Sequence, residues 1–180
     1  MKTKMVSQMK LKKKMKGDFH HMTPNEFIEM IGDTAGKVCA KYNLPASVCI
    51  AQAILESGWG RYCIGQFNYF GRKWNGWGNY VRQQTTEYIN GEYVTIYDKF
   101  QSYESLEEAI RDWCILITEE PAYADALAEW RSRWVVEDFV YVLAPVYATD
   151  PNYADKIVAT IEANDLYRFD GWGDEDNAED

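Results

Sequence analysis

Ala46-Ser47-Val48-Cys49-Ile50-Ala51-Gln52-Ala53-Ile54-Leu55-Glu56-Ser57-Gly58-Trp59-Gly60 is the stretch that organises the chain. Val48, Cys49, Ile50, Ala51, Ala53, Ile54 and Leu55 are apolar all round a helix from about Ala46 to Ser57, which predicts an element buried on every side. Gly58 and Gly60 supply its C-terminal turn. A carboxylate at the end of such a helix is desolvated and sits at the unfavourable pole of the helix dipole. Both effects raise its pKa, which makes Glu56 the first candidate functional residue. The plainer alternative is a structural acid that caps a neighbouring helix or pairs with Arg61.

Upstream, Thr23-Pro24-Asn25-Glu26 is a capping box with Pro at the first helical position. Phe27, Ile31, Ala35, Val38 and Tyr42 follow at helical spacing, and Asn43 and Pro45 end that helix. Downstream, Trp59 to Tyr80 is loop-like and Gly-punctuated, and it holds Trp59, Tyr62, Phe67, Tyr69, Phe70, Trp74, Trp77 and Tyr80. Val81 to Ile89 reads as a strand, Asn90-Gly91 as a tight hairpin turn, and Glu92 to Tyr97 as the returning strand. Ser105-Leu106-Glu107-Glu108 caps a helix that buries Leu106, Ile110, Trp113 and Ile117. Shorter helices are predicted over 122–129 and 135–143. Asp150-Pro151 opens a last one, with Tyr153, Ile157 and Ile161 inward and an end near Asn164. The sum is a mainly α domain of five or six helices with one β-hairpin between its second and third.

The length of 180 residues suits one domain, and the 47% hydrophobic fraction fills one core. No run approaches the apolar length of a membrane span. Gly and Pro, at 12 and 5, are too few for collagen or wholesale disorder. The two histidines, His20 and His21, lie together near the N-terminus. Their position excludes His-ligated metal sites and Ser-His or Cys-His catalysis inside the domain, and no metal or cofactor is expected. Catalysis must then use carboxylates, hydroxyls or amines.

Charge is unevenly laid out along a chain of net −9. Lysines crowd the first 16 residues and acids the last 11, so residues 1–22 read as a basic tail and 169–180 as an acidic one, around a domain at 23–168. The domain itself is acidic, which argues against nucleic acid and favours a neutral glycan over a polyanion. The N-terminal segment lacks the apolar core and cleavage site of a secretory signal. Cys39, Cys49, Cys63 and Cys114 match no zinc spacing. They are expected as reduced thiols, with a Cys39–Cys49 bridge as the alternative in an oxidising compartment.

A carboxylic acid held protonated beside an aromatic-rich cleft is what glycosidic-bond cleavage requires. The acid gives its proton to the leaving oxygen while aromatic faces stack on sugar rings. A second carboxylate would activate water or stabilise the oxocarbenium, and Glu87, Glu92 and Asp98 on the hairpin are the candidates. Each has a structural counterpart: the aromatics as core, Glu87 as a solvated strand residue, Tyr147 as a packing tyrosine.

At these same residues the sequence resembles the glucosaminidase-type peptidoglycan hydrolases, glycoside hydrolase family 73. Five segments occur in the family's order: 51–60, Asn68-Tyr69-Phe70-Gly71, 85–91, Phe100-Gln101-Ser102-Tyr103, and 147–154. The resemblance covers about Thr23 to Leu166. It implies a lysozyme-like helical fold with a small β-hairpin lobe and an open groove. It also implies hydrolysis of the β-1,4 bond on the reducing side of N-acetylglucosamine in peptidoglycan glycan strands. Glu56 matches the family's catalytic acid, Glu87 the proposed second carboxylate and Tyr147 a tyrosine of the site. Trp59, Asn68, Tyr69, Phe70, Trp74, Trp77 and Tyr153 are assigned to substrate binding. The chain departs from the family at Tyr69, where an aliphatic is usual, at Gln101, where Lys or Arg is usual, and in the aromatic run 74–78. Competing readings are a muramidase or lytic transglycosylase of the same fold, and a non-catalytic glycan-binding or virion protein. The expected protein is a monomer that acts on the bacterial cell wall, released by lysis or exported by a non-standard route.

Overall fold

The computed structural model describes residues 22–171, apart from the side chain of Tyr88. The basic segment 1–21 and the acidic residues beyond Gly171 lie outside the described residues, as do His20 and His21. The elements, in order, are α1 (Pro24–Lys41), α2 (Ala46–Ser57), β1 (Tyr80–Ile89), β2 (Glu92–Gln101), α3 (Leu106–Glu119), α4 (Ala124–Arg133), α5 (Val136–Tyr147) and α6 (Tyr153–Ala163). Short 3-10 turns occupy Pro121–Tyr123 and Leu166–Phe169. The mainly α class with one β-hairpin lobe is therefore as the sequence reads. Among the described residues no helix is long and apolar enough to cross a membrane.

Helix α1 starts at the expected capping box: Thr23 N donates to Glu26 Oε2 at 2.7 Å, and Glu26 N donates to Thr23 Oγ1 at 3.2 Å. Helix α2 is the centre of the domain, packed against α1, α6 and the Leu166–Phe169 turn. Every residue from Ala46 to Ile54 is buried, and only Leu55 and Glu56 near its end keep partial exposure. The folded part runs two residues past the boundary expected at 168. Asp170 accepts hydrogen bonds from Ser47 N and Ser47 Oγ, both at 2.7 Å, and so caps α2, which has no side-chain cap of its own.

Three boundaries differ from the sequence reading for local reasons. Helix α4 continues to Arg133, where Trp134 closes it in the left-handed region at φ 55°. Helix α5 runs on through Pro145 to Tyr147, because a proline in the last turn forfeits only one hydrogen bond. Asp150-Pro151 forms a turn ahead of α6, with Asn152 N donating to Asp150 Oδ1 at 2.9 Å, so α6 opens at Tyr153.

Strands β1 and β2 pair antiparallel in full register from Tyr80–Gln101 to Ile89–Glu92, around Asn90 and Gly91 at φ 52° and 91°. Two positive φ values in succession are what a type I′ turn demands. The returning strand is four residues longer than expected because Asp98 to Gln101 keep pairing with Tyr80 to Gln83 of β1 down to the base of the ribbon. Trp74 N donates to Lys99 O and Gln101 N to Arg72 O, each at 3.0 Å.

Candidate active site

Glu56 lies in the last turn of α2, on the one side of that helix left partly open. The turn is fixed by glycine chemistry. Gly58 takes the left-handed conformation, and its N–H donates to Ile54 O. At Gly60, φ is 77°, and an added Cβ would stand 2.7 Å from the Phe27 ring, so only glycine fits. Ser57 secures the same corner by donating to Ala53 O and accepting from Gly60 N, at 2.6 and 2.8 Å.

A chain of buried hydrogen bonds holds the Glu56 carboxylate. Trp113 Nε1 donates to Gln52 Oε1 at 2.8 Å, which fixes the orientation of that amide. Gln52 Nε2 in turn donates to the Tyr153 hydroxyl at 3.4 Å, and Tyr153 donates to Glu56 Oε1 at 2.7 Å. Tyr147 stacks on Tyr153 with ring centroids 6.0 Å apart, and its hydroxyl donates to Phe70 O at 3.2 Å. Burial raises the Glu56 pKa to about 7, against a smaller lowering by the Tyr153 hydrogen bond. Burial, and next the neighbouring Glu56 charge, push Tyr153 and Tyr147 far up, so both phenols remain neutral donors. Among the described residues no ion pair joins Glu56 to Arg61, so the structural salt-bridge alternative is not what occupies this carboxylate.

Glu87 stands on the ribbon in a different setting. Lys73 Nζ donates to Glu87 Oε1 and, at 2.7 Å, to Asp98 Oδ2. Glu87 and Asp98 share one face of the ribbon at levels four residues apart, about 13 Å on a flat ribbon. Both side chains reach toward the Lys73 ammonium between them, so one cation serves both. Burial works against the Lys73 charge, but its hydrogen bonds to the Asp98 and Glu87 carboxylates outweigh it and hold its pKa above the ordinary lysine value. The bond to Lys73 draws Asp98 below the usual carboxylate range. Glu92, the third carboxylate considered, is exposed at the ribbon tip.

The remaining expected site residues fall into two groups. Asn68, Tyr69 and Phe70 are buried. Asn68 Nδ2 donates to Arg72 O and Gln101 O, and its Oδ1 accepts from Arg72 N, all at 2.9 Å, so it ties the Gly-rich loop to β2. Tyr69 packs edge-on against Phe27 at 5.3 Å. Trp59 is half-buried against the core. Trp74 is partly exposed and Trp77 projects into solvent, with Trp74 Nε1 donating to Trp77 O at 3.0 Å. Gln101 is buried; its Nε2 donates weakly to Asn75 Oδ1 at 3.4 Å, and its Oε1 has no protein partner.

Sequence reasoning missed Gln52, Trp113 and Lys73. A signal for Gln52 was available: it is a lone amide in an apolar helix, one turn before Glu56 and so on its face. Nothing in the sequence distinguishes Lys73. The four cysteines are free thiols, and Cys39 faces Cys114, with the sulfurs 3.8 Å apart. Among the described residues no group of His, Cys, Asp and Glu is placed to hold a metal.

Comparison with known proteins places the whole described domain. Residues 32–166 match the glucosaminidase family, described as mannosyl-glycoprotein endo-beta-N-acetylglucosaminidase. A probable N-acetylmuramidase of Lactococcus lactis subsp. cremoris is 36% identical over 154 residues, covering 81% of this chain and 35% of the relative. Exo-glucosaminidase LytG of Bacillus subtilis is 35% identical over 152 residues, covering 80% of this chain and 52% of LytG. The chain thus spans about a third to a half of the length of these relatives. Among solved structures, a mutant peptidoglycan hydrolase from Sphingomonas sp. A1 superposes with a TM-score of 0.67 at 31% identity, covering 82% of this chain and 97% of that one. With a match over most of its length and a shared fold, the chain belongs to the glucosaminidase family of glycoside hydrolases.

Proposed function

We propose that the protein cleaves the glycan strands of peptidoglycan at the β-1,4 bond on the reducing side of N-acetylglucosamine. The observation that carries the reading is Glu56: a carboxyl group that burial holds half-protonated near neutrality, at the one open side of the central helix of a glucosaminidase-family domain. Its proton passes to the glycosidic oxygen as the bond from C1 breaks, and the leaving sugar departs as an alcohol. Water adds at C1 and loses its proton to a carboxylate on the ribbon, where Glu87, paired with Lys73, is the candidate. Tyr153 keeps the Glu56 carboxyl group aimed, and Tyr147 supports Tyr153 by stacking. The substrate places the site of action in the bacterial cell wall, and no step calls for a metal or cofactor.

The name of the Lactococcus relative supports a second reading, cleavage on the other side of N-acetylglucosamine as a muramidase. One experiment separates the two. Purified peptidoglycan is digested, the new ends are reduced with borohydride, and the products are identified by mass spectrometry. Reduced glucosamine ends establish the proposed bond; reduced muramic acid ends establish the muramidase; anhydro ends mean a lytic transglycosylase. Glu56→Gln is expected to lower the rate about a thousandfold while glycan binding persists, within the range for loss of a general acid. Binding without cleavage by the unaltered chain would leave a glycan-binding protein.

A further inference from the structure

The two faces of the β-ribbon have opposite chemistry. The alternate set that carries Glu87 and Asp98 has three carboxylates, five apolar residues and no Lys or Arg. Phe100 and Thr85 of that set are buried, so it is the inner face. The other alternate set, from Tyr80 on β1 to Gln101 on β2, is also ten residues long. Its described side chains are three Tyr, two Thr, two Gln, Arg82 and Lys99, with no Asp, no Glu and no aliphatic residue. In a chain of net −9 this is a local reversal of sign.

Apart from Gln101, buried at its base, the outer face is also open. Tyr97 is 69% exposed, Tyr93 67% and Tyr80 44%, and Trp77 at the edge of the ribbon is 82% exposed. At that edge the Lys99 ammonium lies 4.6 Å from the Trp74 ring centre and 4.5 Å from that of Tyr80, which stiffens both rings. Exposed large rings with polar tips, gathered on one face of a ribbon, are an arrangement that natural surfaces usually cover or use.

We infer that the outer face of the ribbon, built on Tyr93, Tyr97, Arg82 and the Trp74–Tyr80–Lys99 cluster, is a second contact for peptidoglycan, separate from the cleavage groove. Three features of the face select this occupant. Aromatic rings match the C–H faces of pyranose rings, and the Thr, Gln and Tyr polar groups match their hydroxyls and acetamides. Arg82 and Lys99 complement the carboxylates of muramic acid peptide stems, which the acidic remainder of the domain would repel. Without Leu, Ile, Val or Phe the face has no aliphatic side chain to insert among acyl chains, and two copies meeting on this face would oppose their own cations. The inference rests on peptidoglycan being the substrate. It adds a grip on an insoluble wall, placed one sheet thickness from Glu87.

The test is co-sedimentation with purified peptidoglycan sacculi, using Glu56→Gln chains so that the sacculi stay intact. The combined change Arg82→Thr, Tyr93→Thr and Tyr97→Thr keeps strand-forming residues at exposed positions, so the unfolding midpoint should hold. It is expected to weaken binding about tenfold, as loss of aromatic and Arg anchors does elsewhere. Thr95→Glu removes no ring and adds a carboxylate to the face, and it should weaken binding several-fold, more at low salt. Unchanged binding in both variants overturns the inference. So does equal binding of the parent to anionic phosphatidylglycerol vesicles, which would make the partner a membrane, or a parent dimer that Thr95→Glu dissociates. Cleavage of sacculi by the unaltered chain is read separately. A chain that cleaves but binds independently of this face sinks the inference alone, whereas one that neither cleaves nor binds sinks the substrate reading beneath it.

Discussion

The end of α2 and the β-ribbon each present a carboxylate to the site, and they hold it by different means. Glu56 is fixed from within: its partner Tyr153 is buried, that residue's partner Gln52 is fully buried, and Gln52 is oriented by the buried indole of Trp113. Glu87 is fixed from outside, by one ammonium that it shares with Asp98. The ribbon is buried only at its base, at Phe100 and Gln101, and at Thr85 midway along β1, and its tip at Ile89, Tyr93 and Val94 is exposed. Two-stranded ribbons are marginal by themselves, so this lobe depends on its base and its ion pairs where α2 depends on the core. The difference teaches a division of labour. In the proposed mechanism, packing sets the protonation and aim of the acid, while a single ion-paired cation positions the second carboxylate.

The strongest way to break that division is to measure what Glu56 costs the fold. In the folded chain it titrates at about 7, against 4.5 for an ordinary glutamate. Below pH 4.5 both folded and unfolded states hold the proton, and stability does not depend on this group. Between 4.5 and 7 the unfolded chain releases its proton first, so stability falls as pH rises, and above 7 the full cost remains. The shift corresponds to a cost on the order of 3 kcal/mol. Glu56→Gln removes the charge and keeps an acceptor for Tyr153. It should therefore raise the unfolding midpoint at pH 8 and lose that advantage below pH 4.5, as read by calorimetry across pH. A variant that is destabilised at pH 8 would mean that the carboxylate is solvated and the acid role unsupported.

On the ribbon the expected effects are smaller. Glu87→Gln should lower turnover about 10- to 100-fold, less than the loss at Glu56, because Asp98 remains beside Lys73 and retains part of the negative charge on that face. Lys73→Met should give a similar loss, since it frees two carboxylates to repel each other across the twisted ribbon. Neither change should move the unfolding midpoint much, because both sites lie away from the α2 core. A Glu87→Gln loss as large as that of Glu56→Gln would place both carboxylates in one rigid constellation and end the distinction between them.

How far the sequence could be read follows the same divide. Helix α2, the αL glycines after it, the α1 capping box and the Asn90-Gly91 turn are local devices, and each is where its residue types place it. Glu56 was legible because an acid that ends an apolar helix violates a local rule. What was not legible needed long-range partners. Asp170 caps a helix 123 residues away, Trp113 reaches Gln52 across 61, and Lys73 meets Glu87 only once β1 and β2 have paired and twisted. The extra length of β2 likewise comes from its pairing with the first residues of β1 rather than from its own composition. Aromatic content alone could not sort Tyr69 and Phe70, which are buried, from Trp77, which is exposed.

The finest test acts on the hydrogen bond that links the helix to its relay. Tyr153 donates to Glu56 Oε1, and a donor to a carboxylate favours the charged form, so this bond lowers the Glu56 pKa while burial raises it. Tyr153→Phe removes the donor and leaves the burial. The acid should then hold its proton to higher pH, and the basic limb of the rate profile should move up by about one unit, the worth of a hydrogen bond to a charged group. Gln52→Leu leaves the Tyr153 hydroxyl in place but unoriented, and it should move the limb in the same direction by less. Lys73→Met lies outside the relay, so it should change the height of the profile and leave the limb where it is. If the ribbon variant moves the limb and the relay variants do not, the titrating group is on the ribbon, and the acid has to be sought at Glu87 or Asp98 instead of at the end of α2.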